Sequence, residues 1–195
     1  MIKKIKFITF LILILFPTKI FALIEIDITR GNLNPLPIAV SALHTDNKTN
    51  EAFKKEIKVD NIGEEISLVI ERNLKTTGLF NPLEKQAFLQ KPDVAHLKPR
   101  FEDWALIKAQ ALITGKVEIK DKKVRVEFRL WDVLAAREML ALAFTTNPNN
   151  WRRIGHIISD KIYERLTGEK GYFDTRIIYV SEEGPKTQRI KKLAI

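Results

Sequence analysis

The sequence predicts an α/β (α+β) domain, a mixed sheet flanked by helices, from three observations. Two stretches, 62–77 and 150–166, carry apolar residues at helical spacing. From residue 111 the period drops to two and holds through three successive runs, the pattern of an antiparallel meander. The chain has no cysteine, so neither disulfides nor thiolate metal sites hold it together, and its stability must come from an apolar core.

Residues 1–22 read as a cleavable secretory signal. Met1-Ile2-Lys3-Lys4-Ile5-Lys6 is basic, and Phe7 to Phe16 is uncharged. At about 1.5 Å per residue that apolar run spans about 15 Å, half of a hydrocarbon core of about 30 Å, which is too short for a stable anchor. Pro17 and Lys19 close it, and Ala22 supplies the small residue a signal peptidase needs, placing the cut between Ala22 and Leu23. Exported in this way, the protein works outside the cytoplasm.

Leu23 to Thr29 then alternates strictly, with Ile24, Ile26 and Ile28 on one face and Glu25 and Asp27 on the other, a strand pattern. Arg30 to Pro35 is turn-rich, Pro37 to Leu43 reads as a short buried strand, and residues 44–58 read as an exposed loop. Asn61 with Glu64 forms a capping-box signature. Ile62, Ile66, Val69, Ile70 and Leu74 make the helical stripe, and Gly78 stands at the C-terminal cap. Leu79 to Leu83 is brief and extended, and Pro92 and Pro99 hold the stretch from Lys91 to Pro99 out of helix. A shorter helix is expected from Phe101 to about Lys108.

The meander follows: a strand from Leu112 to Lys120, a turn at Asp121-Lys122, a strand with Val124, Val126, Phe128 and Leu130 on one face, and a third with Leu140, Leu142 and Phe144. Trp151, Ile154, Ile158 and Ile162 mark the core stripe of the last helix, which Thr167-Gly168 ends. Gly171-Tyr172-Phe173 reads as a hinge-like connector. Two strands, Arg176 to Ser181 and Arg189 to Ile195, flank Glu183-Gly184-Pro185 as a lone hairpin, which is marginal in water. The expected organisation is therefore a signal (1–22), an α/β domain (23–170), and a connector with the first two strands of a truncated second domain (171–195).

The run from Trp151 through Leu166-Thr167-Gly168-Glu169-Lys170-Gly171-Tyr172-Phe173-Asp174-Thr175-Arg176-Ile177 is distinctive, and three further segments occur in order before it. They are Ile24 to Ile28, Gly78-Leu79-Phe80-Asn81-Pro82, and Ala111-Leu112-Ile113-Thr114-Gly115-Lys116-Val117. Together they resemble the TolB family of periplasmic Tol-Pal components across residues 23–195. The resemblance implies an N-terminal domain similar in topology to anticodon-binding domains, followed by a six-bladed β-propeller of which residues 176–195 would be the first two strands. It implies two partners: TolA at the mature N-terminal strand, and the lipoprotein Pal at the propeller. Ala135-Ala136 departs from the family, because glycine would be easier at that turn.

A free chain end of alternating sequence is suited to adding a strand to another protein's sheet edge. Ile24, Ile26 and Ile28 would fill pockets, and Glu25 and Asp27 would meet a basic rim. The same residues also fit an edge strand of their own domain, and both states stay open.

Catalysis finds little support. His44, His96 and His156 have no metal-ligand spacing, and no Gly-x-Ser-x-Gly, Ser-x-x-Lys or phosphate-binding glycine loop is present, so no catalytic residue, metal or cofactor is called for. Glu102 and Asp103 beside Arg100 suit the dipole of a helix start better than an acid pair.

The formal charge is +9, but residues 1–22 carry Lys3, Lys4, Lys6 and Lys19 and no acid, leaving +5 after cleavage. Lys122, Lys123, Arg125, Arg129 and Trp131 on one hairpin raise the alternative of nucleic-acid binding. Glu127 interrupts that stripe, and export removes the partner. The function expected is a non-enzymatic periplasmic adaptor acting through protein contacts in outer-membrane integrity and division, the alternative a generic periplasmic α/β binding module.

Overall fold

The computed structural model describes Ile24, residues 34–176 and residues 178–194. The sheet is mixed, as expected. Strand β1 (Leu36–Val40) lies parallel to β3 (Phe80–Pro82) on one side and to β4 (Ala111–Lys120) on the other. A two-residue strand, β2 (His44–Thr45), also pairs in parallel with β4. The antiparallel meander continues through β5 (Lys123–Asp132) and β6 (Arg137–Thr146), giving the order β3-β1-β4-β5-β6.

One sheet face carries the main core. Helix α2 (Ile62–Thr76) and helix α5 (Trp151–Thr167) pack against it and against each other. The apolar stripe of α2 and that of α5 meet Ile38, Val40, Ile113, Val117 and the inward row of β5. That row, Val124, Val126, Phe128 and Leu130, is at most 1% exposed, as its period-two pattern requires. The facing row of β6 is less covered, because β6 is the last strand of the order; Leu142 is 36% exposed.

The α2 cap forms as its sequence dictates. Asn61 is extended, its side-chain oxygen accepts from the Glu64 N–H at 3.2 Å, and Gly78 takes φ +71° just past the C-terminus. Replacing Asn61 by Ala is expected to cost about 1 kcal/mol, measured as a lower midpoint of urea unfolding at unchanged slope. The β4–β5 turn places Asp121 and Lys122 at φ +51° and +58°, and the β5–β6 turn places Ala136 at +50°, where glycine would relax the chain.

Three expectations change. Residues 44–58 are not a loop: they hold β2 and helix α1 (Asn47–Ile57). Asp46 caps α1 by accepting from the Thr49 N–H at 2.7 Å, Lys58 closes it in the left-handed region, and Phe53 is wholly buried. Phe53 is its one wholly buried apolar residue, with Ala52 and Ile57 half-buried, a stripe too short to stand out among the lysines and acids around it.

The stretch from Lys91 to Pro99 does contain a helical turn, α3 (Pro92–Ala95). Pro92 stands at the start of α3, where its missing N–H costs nothing, so the proline opens the turn instead of excluding it. Helix α4 (Phe101–Leu106) follows as expected, with Arg100 bound to Asp103 at 2.6 Å.

Helices α3 and α4 cover the upper half of the other sheet face, where Trp104, Ala39, Ala95, Leu112 and Val133 form a smaller core. Gln90 ties this layer together. Its side-chain oxygen accepts from the Arg100 backbone N–H at 2.8 Å and from the Trp104 indole at 2.9 Å.

The third change concerns Gly171-Tyr172-Phe173, which the structure shows bonded back to α5. Asp160 accepts from the Phe173 and Asp174 N–H groups, at 2.6 and 3.1 Å. Beyond it, β7 (Tyr179–Glu183) and β8 (Ile190–Ala194) form a separate antiparallel hairpin, exposed at Tyr179, Val180, Ile190 and Leu193.

Candidate partner-binding site

Of the candidate strand residues, Ile24 is described: it is half-buried and packs against the main core. Glu25, Ile26, Asp27 and Ile28, and the cleavage pair Ala22 and Leu23, lie outside the described residues. The structure thus ties one of the three isoleucines to the chain's own domain.

The open lower half of the second sheet face carries the residues considered for nucleic acid. Every cation there but those at the turn has an acidic neighbour. Arg125 binds Glu127 at 3.0 Å and approaches Glu118 at 3.9 Å. Lys116 binds Glu118 and Glu127 at 3.4 and 3.8 Å, and Arg129 binds Glu138 at 3.3 Å. Such an alternating lattice leaves no positive stripe to follow a phosphate backbone. Trp131 is no free stacking platform either. Its indole donates to the Thr114 hydroxyl at 2.9 Å, and Phe101 meets its ring edge-on at 5.7 Å.

Where α3 ends above this lattice, a cleft of about 230 Å³ is lined by His96, Leu97, Gly115, Lys116, Glu127 and Arg129. Beside it His44 and His96 stack in parallel, ring centroids 4.3 Å apart. Burial and the neighbouring His96 push the His44 pKa down. The sequence did not reveal this pair, because its members lie far apart in the chain and only the seating of α3 over β2 joins them. His96 is held by Pro92, whose carbonyl lies 3.0 Å from its Nδ1. Rings stacked face to face keep their in-plane nitrogen lone pairs in separate parallel planes, a poor arrangement for one metal ion, and among the described residues no three His, Cys, Asp or Glu side chains cluster to hold one.

His156 is structural. The Asn73 amide donates to its Nδ1 and to the Ser159 hydroxyl, each at 2.9 Å, joining α2 to α5. Trp104 is 1% exposed and Trp151 9%, both core residues.

The family model of the TolB amino-terminal domain matches residues 24–139, so it begins at the residue seated on the core and runs into β6. The chain belongs to the TolB family. The Tol-Pal system protein TolB of Pelagibacter ubique (strain HTCC1062) is 74% identical over 186 residues, covering 95% of this chain and 42% of that protein. The chain therefore spans about two fifths of the length of that curated relative. The crystal structure of TolB from Acinetobacter baumannii superposes with a TM-score of 0.58 at 24% identity, over 75% of this chain and 32% of the other, and shows the fold. The resemblance carried by the four ordered segments is thus confirmed as kinship, and the TolB N-terminal fold as a mixed sheet with helices. Among the described residues no helix is long and apolar enough to cross a membrane.

Proposed function

We propose that this chain acts as a non-enzymatic periplasmic adaptor of the Tol-Pal complex, supporting outer-membrane integrity and its inward movement during division through protein contacts. The observation that carries the reading is the 74% identity to a Tol-Pal system protein over nearly the whole chain. Export by residues 1–22 and cleavage between Ala22 and Leu23 would deliver the domain to the periplasm with Leu23 at its free end. TolA is the proposed partner of Ile24, Glu25, Ile26, Asp27 and Ile28. Pal is the proposed partner of the propeller that the strands of 176–195 would begin.

The seating of Ile24 on the core adds a condition to this reading. A strand that is to pair with TolA through Ile24 must first lift that side chain off its own domain, so capture competes with self-docking. The geometry of the histidines favours no catalytic role: His156 serves helix packing and the other two serve each other.

Deleting residues 23–30 is expected to abolish capture of TolA while the thermal unfolding of the domain stays within a few degrees of the parent. Undiminished capture would overturn the assignment of the strand, and loss of folding would make the strand structural first. A protein comprising residues 23–195 alone is expected to capture TolA and not Pal.

A further inference from the structure

The connector after α5 is held by three independent contacts. Asp160, two turns and a half along α5, receives the consecutive backbone N–H groups of Phe173 and Asp174 on its two carboxylate oxygens. About two turns earlier, Arg153 forms a forked pair with Asp174: its Nε lies 3.0 and 3.2 Å from the two oxygens, and its Nη2 lies 3.1 Å from Oδ2. Further along, Tyr163 meets Tyr172 and Phe173 edge-on at 5.7 and 6.0 Å.

Gly171 allows the approach. A Cβ there would stand 2.6 Å from the Asp160 Cβ, and closer still to the Asp160 Cα and Oδ1, so only a bare backbone can pass. Bonds from charged groups to backbone are among the stronger ones, and the forked guanidinium–carboxylate geometry fixes orientation as well as distance.

We infer that Arg153, Asp160, Gly171 and Asp174 form a latch that makes residues 171–174 a rigid strut, so that the chain leaves the domain in a direction set by α5. The strut has a second end. α5 is itself fixed to α2 through Asn73, His156 and Ser159, which places the exit of the chain under the control of the two-helix layer on the main core. Whatever follows residue 175 in a longer protein is then oriented by the domain and does not reorient freely about Gly171. Arg153 and Asp174 act as positioning residues in this scheme, with the two amides on Asp160 as its readout.

Hydrogen exchange on the intact chain tests it. The Phe173 and Asp174 amides are expected to exchange slower than free-peptide rates by about 10- to 100-fold, the range that a bond to a charged acceptor supports. In Asp160→Ala both amides should rise to near the free rate while those of β4 and β5 stay protected. If that variant loses β4 and β5 protection as well, Asp174→Asn and Arg153→Met, on the exposed half of the latch, carry the test; each should speed exchange at Phe173 and Asp174 with the core unchanged. Free-peptide exchange at these two amides in the parent, or unaltered exchange when the latch residues are replaced in a folded domain, would overturn the strut.

Discussion

Gly63→Ala is expected to destabilise the domain by about 3 kcal/mol, at the upper end for overpacking and against the sign of helix propensity. Gly63 lies buried in the first turn of α2, where alanine would ordinarily be better by about 1 kcal/mol. Here, however, the chain after β1 passes directly over it. A Cβ would stand 2.8 Å from the Leu43 carbonyl carbon, and its oxygen is nearer still. Neither atom can rotate away, because both are backbone.

The crossing is also a junction of bonds. The Leu43 N–H donates to the Gly63 carbonyl at 3.2 Å and lies 3.0 Å from the Ser67 hydroxyl, which in turn approaches the Ser41 and Gly63 carbonyls at 3.1 and 2.8 Å. Pushing α2 outward to admit a methyl group strains all of them. Urea unfolding followed by circular dichroism measures the loss. Gly78→Ala is the control: its φ of +71° makes alanine uncomfortable by about 1 kcal/mol, but nothing lies within 4 Å of the added atom. A Gly63→Ala loss no larger than the Gly78→Ala loss would show that the crossing yields.

This junction illustrates what a sequence discloses and what it does not. α2, α5 and the meander were legible because each buries one continuous face, and burial of a continuous face writes a period into the chain. The fold class followed from those periods, whereas the family resemblance rested on the residue identities of four segments in order. Much of what remained hidden depends on contact between residues distant in sequence.

The crossing of Leu43 over Gly63 leaves no mark except a glycine in a helix. The stack of His44 on His96 depends on α3, which two prolines appeared to forbid and which one of them begins. Gly171 suggests a hinge in the sequence, but its close approach to Asp160, where a Cβ would clash, shows only in three dimensions. For the candidate partner strand, alternation was legible from Leu23 to Thr29, but the seating of Ile24 on the core was not, since an alternating strand looks the same whether its apolar face meets its own domain or another protein.

Helix α1 is the hardest case and yields the second prediction: Phe53→Ala should cost about 3 to 5 kcal/mol if α1 remains docked around the cavity, and less if it does not. The distinction matters because Phe53 is the helix's one wholly buried apolar side chain. Thr49, the other buried residue, contributes a weak bond, its hydroxyl accepting from the Ile119 N–H at 3.4 Å. The Lys54–Asp60 pair at 2.8 Å is exposed and screened by solvent. An eleven-residue helix is not stable alone in water, so losing its anchor should release α1 as a unit before the sheet unfolds.

The undocked state then caps the cost, because the protein need keep no cavity that it can abandon. Hydrogen exchange separates the two outcomes. Release of α1 speeds exchange across Asn47–Ile57 while Val126 and Phe128 in β5 stay protected, whereas a retained cavity lowers protection throughout. We expect release. A helix held mainly by one buried aromatic residue, with Ile57 a turn later only half-buried against the core, writes too short a period to read for the same reason that it lets go as one piece.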